Sequence, residues 1–424
     1  MTRLIDLNAW INSSGAGDSS WPRKGLQADA IFTLEHYVNA ARIAHRGVFS
    51  NVFMSDRPQL LIGEGLRPEQ TFDPFVLFPA ILAQVPDIGA IITATTQYNH
   101  PYTLARAVQS LNLLFPGRVG WNIVTSWHPE IAANFGQTEL PDRATRYERA
   151  EEFVDTVLAL WNSWSYPWGE GELKAWGTPT PINHAGRHFS VRGPLNLPAA
   201  PWGRPKLVQA GGSVAGIGLG ARHADVVYAP LSSREGSRAF RAELHAAARA
   251  AGRAENDLPR VLPPISPILF ASEHEIAAFR RDHAEAHPVT EADLAGAAAL
   301  LGVDPAHTAP DAPLTEADFG DTTQAVIPIG VVLAKRREAL DGGFSLRSFA
   351  AAQKIEGMAT TPEALSQFIL DWFHAGAADG FTISPLALPD DLETFVDQVI
   401  PLLQRSGFYP RDYDERRSAA DRVA

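Results

Sequence analysis

The residues of this chain best able to do chemistry are gathered where short apolar runs turn polar or glycine-rich. Gly117-Arg118-Val119-Gly120-Trp121-Asn122-Ile123-Val124-Thr125-Ser126 sets an amide inside such a run and two hydroxyls at its end. Asn122 is the notable residue, because a buried amide left unpaired costs about 1–3 kcal/mol and so must find partners in the protein or in a ligand. A second stretch, Gly193-Pro194-Leu195-Asn196 followed by Val208-Gln209-Ala210-Gly211-Gly212-Ser213-Val214-Ala215-Gly216, ends in two glycines and a serine before a helical pattern. Free backbone N–H groups and the positive end of a helix make such a corner a phosphate site, and Ser213 can cap the helix while donating to phosphate. Asp56 follows Val52-Phe53-Met54-Ser55; it can accept a hydrogen bond from a ligand ring, or serve as a turn cap before Arg57-Pro58. Thr93 and Thr95 bring hydroxyls to the end of another run, although threonine is also simply a good strand former. Arg143 and Tyr147 lie four apart and share a helix face, and a guanidinium there suits phosphate. His100 and His128 follow run ends and can act as proton donors or lie on loop surface. Asn122, His100 and His128 are therefore the catalytic candidates.

Other chemistries are excluded. The 424 residues include no cysteine, which removes disulfides, thiolate catalysis and Cys-ligated metals. His184 and His188 are four apart, but Gly186 between them argues against a helix and no carboxylate completes a metal motif, so no metal site is expected. Neither a G-x-G-x-x-G fingerprint, a P-loop nor a G-x-S-x-G elbow is present. A net charge of −12 argues against nucleic acid or an anionic membrane as partner. The start Met1-Thr2-Arg3-Leu4-Ile5-Asp6 is too polar for a signal-peptide core and no 18-residue apolar run follows, so a cytoplasmic enzyme is expected.

The elements that must position these groups alternate between strand and helix. Short apolar runs recur at Leu4–Trp10, Val48–Ser55, Ile88–Thr95, Val119–Thr125, Lys206–Ala210, Asp225–Ala229, Arg260–Ala271, Ile355–Met358 and Gly380–Ser384. Helical patterns are clearest at Pro101–Phe115, Arg146–Trp161, Arg234–Ala251 and Pro362–Gly376. Alternating βα units predict a parallel sheet buried on both faces, and about eight of them predict an α/β fold of the (β/α)8 TIM-barrel type. Nine runs are one too many; Ile355–Met358, the shortest, is either the eighth strand or an adornment. One domain spanning 1–424 is expected, with insertions near 161–205 and 282–323. The first is rich in tryptophan and proline; the second, rich in Ala, His, Asp and Pro with a weak helix at Glu291–Leu301, is expected to be a lid with little core of its own.

These words resemble those of the flavin-dependent monooxygenases of the nitrilotriacetate and dibenzothiophene-sulfone monooxygenase group, in the bacterial luciferase-like superfamily. The resemblance runs from about Trp21 to Tyr413 and takes in Asp379-Gly380-Phe381 and Val399-Ile400-Pro401-Leu402-Leu403-Gln404. It implies a luciferase-like TIM barrel acting as the oxygenase component of a two-component system. Reduced FMN (FMNH2) would come from a separate NAD(P)H:flavin reductase, and O2 would form a flavin (hydro)peroxide that oxygenates a small organic substrate. A homodimer or homotetramer is implied as well. By the same resemblance Asp56, a hydroxyl of Thr93 or Thr95, and Asn122 contact the flavin, while Tyr147, Arg143, Gly211, Gly212 and Ser213 hold its phosphate. Arg143 stands where the family has His, Thr95 where it has Ser, Gln97 where it has a second Thr, and Asn112-Leu113 where it has Asp-His. Two rival readings are a deazaflavin (F420)-dependent oxidoreductase of the same barrel fold, which transfers hydride, and a non-catalytic flavin-binding protein.

Overall fold

The computed structural model describes residues 3–16, 29–60, 72–126, 128–166, 178–229, 231, 233–320, 329–355 and 357–421. The apolar runs form eight parallel strands: β1 Asp6–Trp10, β2 Asn51–Met54, β3 Gly89–Thr95, β4 Val119–Val124, β5 Lys206–Ala210, β6 Val226–Tyr228, β7 in two pieces (Arg260–Val261 and Pro264–Ile265), and β8 Gly380–Ile383. Each pairs with its sequence neighbour, and β8 returns to pair with β1. The ring therefore closes. β7 is split because Pro263 and Pro264 have no N–H for the ladder. It still joins both neighbours: the Leu262 N–H donates to the Val227 carbonyl (2.9 Å), and the Pro263 carbonyl accepts from the Thr382 N–H (3.0 Å). The ninth run lies in a separate two-stranded parallel ribbon, Pro267–Leu269 with Met358–Thr360, so it is an adornment and not a barrel strand. At the β1–β8 seam the backbones approach so closely that a Cβ on Gly380 would stand 1.8 Å from the Asp6 carbonyl oxygen, which only glycine avoids.

Register decides which residues face the axis. Asn8 pairs with Asn51 and Thr382, and Thr93 with Asn122, so these polar groups share the interior with Phe53, Ile91, Val208, Val226, Tyr228 and Leu262. The alternate residues point outward into the larger core beneath the helices. Trp121 is one of them, fully buried, with its indole N–H donating to the Ala94 carbonyl at 2.9 Å.

The helices that matter for the barrel mouth are α1 Leu34–Arg46, α2 Pro74–Leu82, α3 Pro101–Leu114, α4 Pro129–Asn134, α5 Arg143–Trp161, α6 Val214–His223 and α7 Arg234–Ala250. α5 begins at Arg143, three residues before the sequence pattern suggested, because the Asp142 carboxylate caps the Thr145 N–H (3.1 Å). Between β7 and β8 the chain forms α8 Glu273–Ala286, α9 Glu291–Leu301, α10 Ile329–Asp341 and α11 Leu346–Gln353. This differs from the expected coreless lid. Leu294, Leu301, Val303 and Leu314 pack with Ala339, Leu346 and Phe349 into a separate apolar cluster, completed by residues well past 323. In the other insertion, 167–177 lie outside the described residues, as do 321–323 of this one. What is described there is a hairpin, His184–Ala185 against Ser190–Val191. It is fastened to α5 by Glu152, which accepts from His184 Nε2 (3.0 Å) and the backbone N–H groups of His188 and Phe189 (2.9 and 2.8 Å).

The opposite end of the barrel is closed by charge and by the C-terminal segment. Asp6 accepts from Arg260 at 2.8 Å and pairs with Arg416 at 3.4 Å, and the Tyr409 and Tyr413 hydroxyls donate to carbonyls of residues 47–49. No described helix is long and apolar enough to cross a membrane.

Candidate active site

The C-terminal ends of the strands bring most of the candidate residues into one mouth, as in any parallel barrel. At β3 and β4 the interior polar groups bond to one another. The Thr93 hydroxyl donates to the Met54 carbonyl (2.7 Å) and accepts from Asn122 Nδ2 (3.0 Å). The Thr95 hydroxyl accepts from Ser126 Oγ (2.8 Å) and from the Gln97 N–H (3.1 Å). Both threonines are thus engaged in holding the rim. Asn122 is not fully engaged: its Oδ1, in a side chain only 2 % exposed, has no partner. Thr382 Oγ1, on β8, is likewise buried and unpartnered. Deeper in, Asn51 donates to Asn8 Oδ1 (2.9 Å) and Asn8 donates to the Tyr228 hydroxyl (3.0 Å).

Asp56 sits just past β2. Burial, reinforced by the nearby Asp73 carboxylate and opposed by a bond from the Arg57 backbone, pushes its pKa up to about 6. Its partial burial at a strand end fits a group that meets a ligand more than a solvated turn cap. The rim beside it is held by Asn12, whose side chain donates to the Ser55 carbonyl and accepts from the Ser55 N–H, both at 2.9 Å.

The β5–α6 corner has the form expected of a phosphate cradle. Ser213 is the N-cap of α6, its Oγ accepting from the Gly216 N–H at 3.2 Å. The Tyr147 hydroxyl, arriving from α5, stands where side chains at the glycines would otherwise lie. A Cβ on Gly216 would be 3.3 Å from it and 3.4 Å from Ser213 Oγ, and a Cβ on Gly211 3.7 Å from it. Bare backbone, two hydroxyls and a helix N-terminus therefore meet at one corner, a donor set that matches a phosphate monoester. Arg143 is at the first turn of α5, exposed, its guanidinium 5.8 Å from the Tyr147 ring. Glu151, one turn past Tyr147, fixes α6 against α5 by accepting from Arg222 Nε (3.0 Å) and His223 Nε2 (3.1 Å). Gln209 turns away from the axis: a Cβ on Gly220 of α6 would stand 3.2 Å from its Oε1.

The histidines divide. His100 is the N-cap of α3, its Nδ1 accepting from the Tyr102 N–H (3.3 Å), and it is exposed, so its ring serves the helix start. His128 is half-buried at the start of α4, at the rim. No cluster of three or more metal-ligating residues occurs among the described residues. Gln97, a departure from the family word, is buried with its Oε1 unpartnered.

The donor set and the unpartnered Asn122 and Thr382 oxygens suit FMN, with a phosphate at Gly211–Ser213 and a polar ring edge against β4. Comparison with known proteins gives the family. A model of the luciferase-like monooxygenase family matches residues 15–329. The chain is 31 % identical to the N-acetyl-S-(2-succino)cysteine monooxygenase of Bacillus subtilis (strain 168), covering 97 % of this chain and 95 % of that protein. It is also 31 % identical to nitrilotriacetate monooxygenase component A of Aminobacter aminovorans (97 % and 94 % covered). The solved structure of EDTA monooxygenase from Chelativorans sp. BNC1 superposes with a TM-score of 0.88 at 42 % identity, covering 97 % of this chain and 96 % of that one. Barrel, mouth and comparisons converge: this chain belongs to the luciferase-like monooxygenase family.

Proposed function

We propose that the chain is the oxygenase component of a two-component flavin monooxygenase, taking FMNH2 from a separate NAD(P)H:flavin reductase and using O2 to oxygenate a small organic substrate. The observation that carries this reading is the meeting of the Tyr147 hydroxyl, Ser213 and the Gly211–Gly216 backbone at the head of α6. Reduced FMN, when bound, supplies the electrons that activate oxygen. The chain's own residues do the rest. Ser213, Tyr147, Gly211 and Gly212, with Arg143 alongside, hold the phosphate. Asn122 Oδ1 accepts from the ring edge, with Thr93 holding its amide in place. Asp56, raised to about 6, is neutral or charged according to pH near neutrality, so it can hold a proton toward the ring or accept a bond from it. The closed barrel floor keeps bulk water from the inner face.

The absence of a dinucleotide fingerprint in the sequence supports reliance on an external reductase. The printed designation "component A" of the nitrilotriacetate relative points the same way. Self-association as a homodimer or homotetramer is also proposed; α2 leaves Val76 71 % exposed, an apolar position suited to a second copy. The test is NADH consumption and product formation by the purified chain. With NADH and FMN alone no NADH should be consumed; adding a flavin reductase should yield oxygenated substrate, beyond the H2O2 that free FMNH2 forms with O2. NADH oxidation by the chain alone overturns the two-component reading. Reduction of F420 by an alcohol would favour the deazaflavin alternative, and FMNH2 binding without turnover the non-catalytic one.

A further inference from the structure

The two hydroxyls of the phosphate corner come from different helices, Ser213 from the head of α6 and Tyr147 from the second turn of α5. Their spacing is therefore set by how α6 lies against α5, and α6 does little to fix this by itself. Three of its ten residues, Gly216, Gly218 and Gly220, are glycine, which weakens a helix interior. Two of them let neighbours approach: a Cβ on Gly216 would stand 3.3 Å from the Tyr147 hydroxyl, and one on Gly220 3.2 Å from Gln209 Oε1 and from Val227 Cγ2. Gly218 faces open space. Such a helix keeps its place through contacts from outside.

At its far end that contact is Glu151, one turn beyond Tyr147 on α5. The carboxylate accepts from Arg222 Nε (3.0 Å) and His223 Nε2 (3.1 Å), both in the last turn of α6, and a second Arg222 nitrogen also reaches it. His223 Nε2 lies 3.7 Å from Asp155 as well. The side chains of Glu151 and His223 are only 22 % and 10 % exposed, so this contact is screened less than a surface pair. A carboxylate gains nothing from the C-terminal end of a helix dipole; it is Arg222 and His223 that hold it there. Tyr147 and Glu151 share a face of α5 and touch the first and last turns of α6. Two such points fix both the separation of the helices and the slide of one along the other.

We infer that Glu151 is a positioning residue of the phosphate corner: by clasping Arg222 and His223 it holds α6 at the slide along α5 that sets Ser213 and the Gly211–Gly216 backbone opposite the Tyr147 hydroxyl. This rests on reading that corner as the FMN phosphate site. Glu151 does not touch the phosphate, since its partners on α6 lie about 14–15 Å along the helix from Ser213. Its own charge would act in the opposite sense, because a carboxylate repels a phosphate and its removal would tighten binding.

Riboflavin, which has the ring and ribityl chain of FMN without the phosphate, separates this role from general support of the fold. Fluorescence titration of the full chain measures both ligands. The native chain should prefer FMN to riboflavin by at least about tenfold. Glu151→Gln, close in shape but uncharged, should weaken FMN by about three- to tenfold and leave riboflavin within about twofold. Added to Ser213→Gly it should cost less than about twofold more, because both act through one corner. Arg222→Met opens the same clasp from the side of α6; it should shrink the FMN preference likewise, and it stands in if Glu151→Gln fails to fold. The inference is overturned if Glu151→Gln keeps native FMN affinity, weakens riboflavin as much as FMN, or adds in full to Ser213→Gly. A native chain that binds FMN no better than riboflavin overturns the phosphate reading and this inference with it. A native preference that survives in both Glu151→Gln and Arg222→Met overturns the inference alone.

Discussion

Replacing Ser213 tests the phosphate corner directly, because its hydroxyl has two separable jobs. In the structure Oγ accepts from the Gly216 N–H at 3.2 Å and so caps α6; the same hydroxyl is free to donate its proton to a phosphate oxygen. Loss of a serine cap to alanine costs about 1 kcal/mol of stability. Loss of one bond to a charged group costs about 1.5–3 kcal/mol of binding, or about 10- to 150-fold in Kd. Ser213→Ala loses both. Ser213→Gly loses the donor but little of the cap, since glycine at that position costs only a few tenths of a kcal/mol. The expected pattern is therefore a similar fall in FMN affinity for both variants, with a lower ligand-free melting temperature only for alanine. Fluorescence titration of FMN and a thermal melt without flavin read the two quantities separately. Native FMN affinity in Ser213→Gly would refute the phosphate assignment; weak binding in Ser213→Ala alone would mean that the residue acts only by shaping the helix. Tyr147→Phe should show the glycine pattern, because its hydroxyl stands at the same corner.

Asp56, raised by burial and by Asp73 to about 6, favours its proton in the native state; its charge therefore costs stability progressively from about pH 4 to 6 and fully above, up to about 3 kcal/mol. Asp56→Asn should raise the ligand-free melting temperature at pH 8 and not at pH 4, and a gain equal at both would refute the shift. Asp6 behaves oppositely. Burial alone would raise it, but Arg260 and Arg416 hold it down to about 2, a contribution of about 2–3 kcal/mol that is present above its unfolded pKa and lost as pH falls through 2. Asp6→Asn should cost at least that much at pH 7, where Arg260 is left without its carboxylate, as read by urea unfolding. In the insertion between β7 and β8, hydrogen exchange in the ligand-free chain should be slow across Leu294–Leu301 and fast along α8, where only Ile276 is buried. Uniformly fast exchange would show that the cluster around Phe349 does not hold the segment together.

The strands were legible because both of their faces are buried, so each reads as a continuous apolar run with its polar exceptions at the chemically useful end. The length of the seventh run was not legible. Arg260–Ala271 looks like one strand, but Pro263, Pro264 and Pro267 divide it into two barrel pieces and a ribbon strand, and that ribbon is where the ninth run found its partner. The core of the second insertion escaped for a related reason. Leu294 and Leu301 look sparse by themselves, and the residues that complete their cluster, Leu346 and Phe349, come about 50 positions later. Among the site residues, Asn122 was legible as an amide in an apolar strand. His100 was ambiguous until its ring proved to cap α3, and the stack of Tyr98 on Phe135 leaves no mark in local sequence.

The two ends of the barrel show why the mouth, and not the floor, is the place for chemistry. At the floor Asp6 is buried beside two arginines and Ser50, and its acidity is shifted toward the charged form that those partners stabilise. At the mouth Asp56 is shifted the other way, and Asn122 Oδ1 and Gln97 Oε1 are buried without a partner, as Arg416 Nε is at the floor. Both ends come from the same strands, so the difference cannot lie in strand propensity or packing. It lies in the side chains set at alternate ends of each run. Unpaired buried groups disfavour folding by about 1–3 kcal/mol each, and the one on Asn122 at the mouth is relieved only when a polar ligand supplies the missing partner. Binding should accordingly stabilise this protein more than the ligand's buried area alone would predict. FMN and substrate should together raise the melting temperature by more than either does separately, because each excludes water from the same mouth.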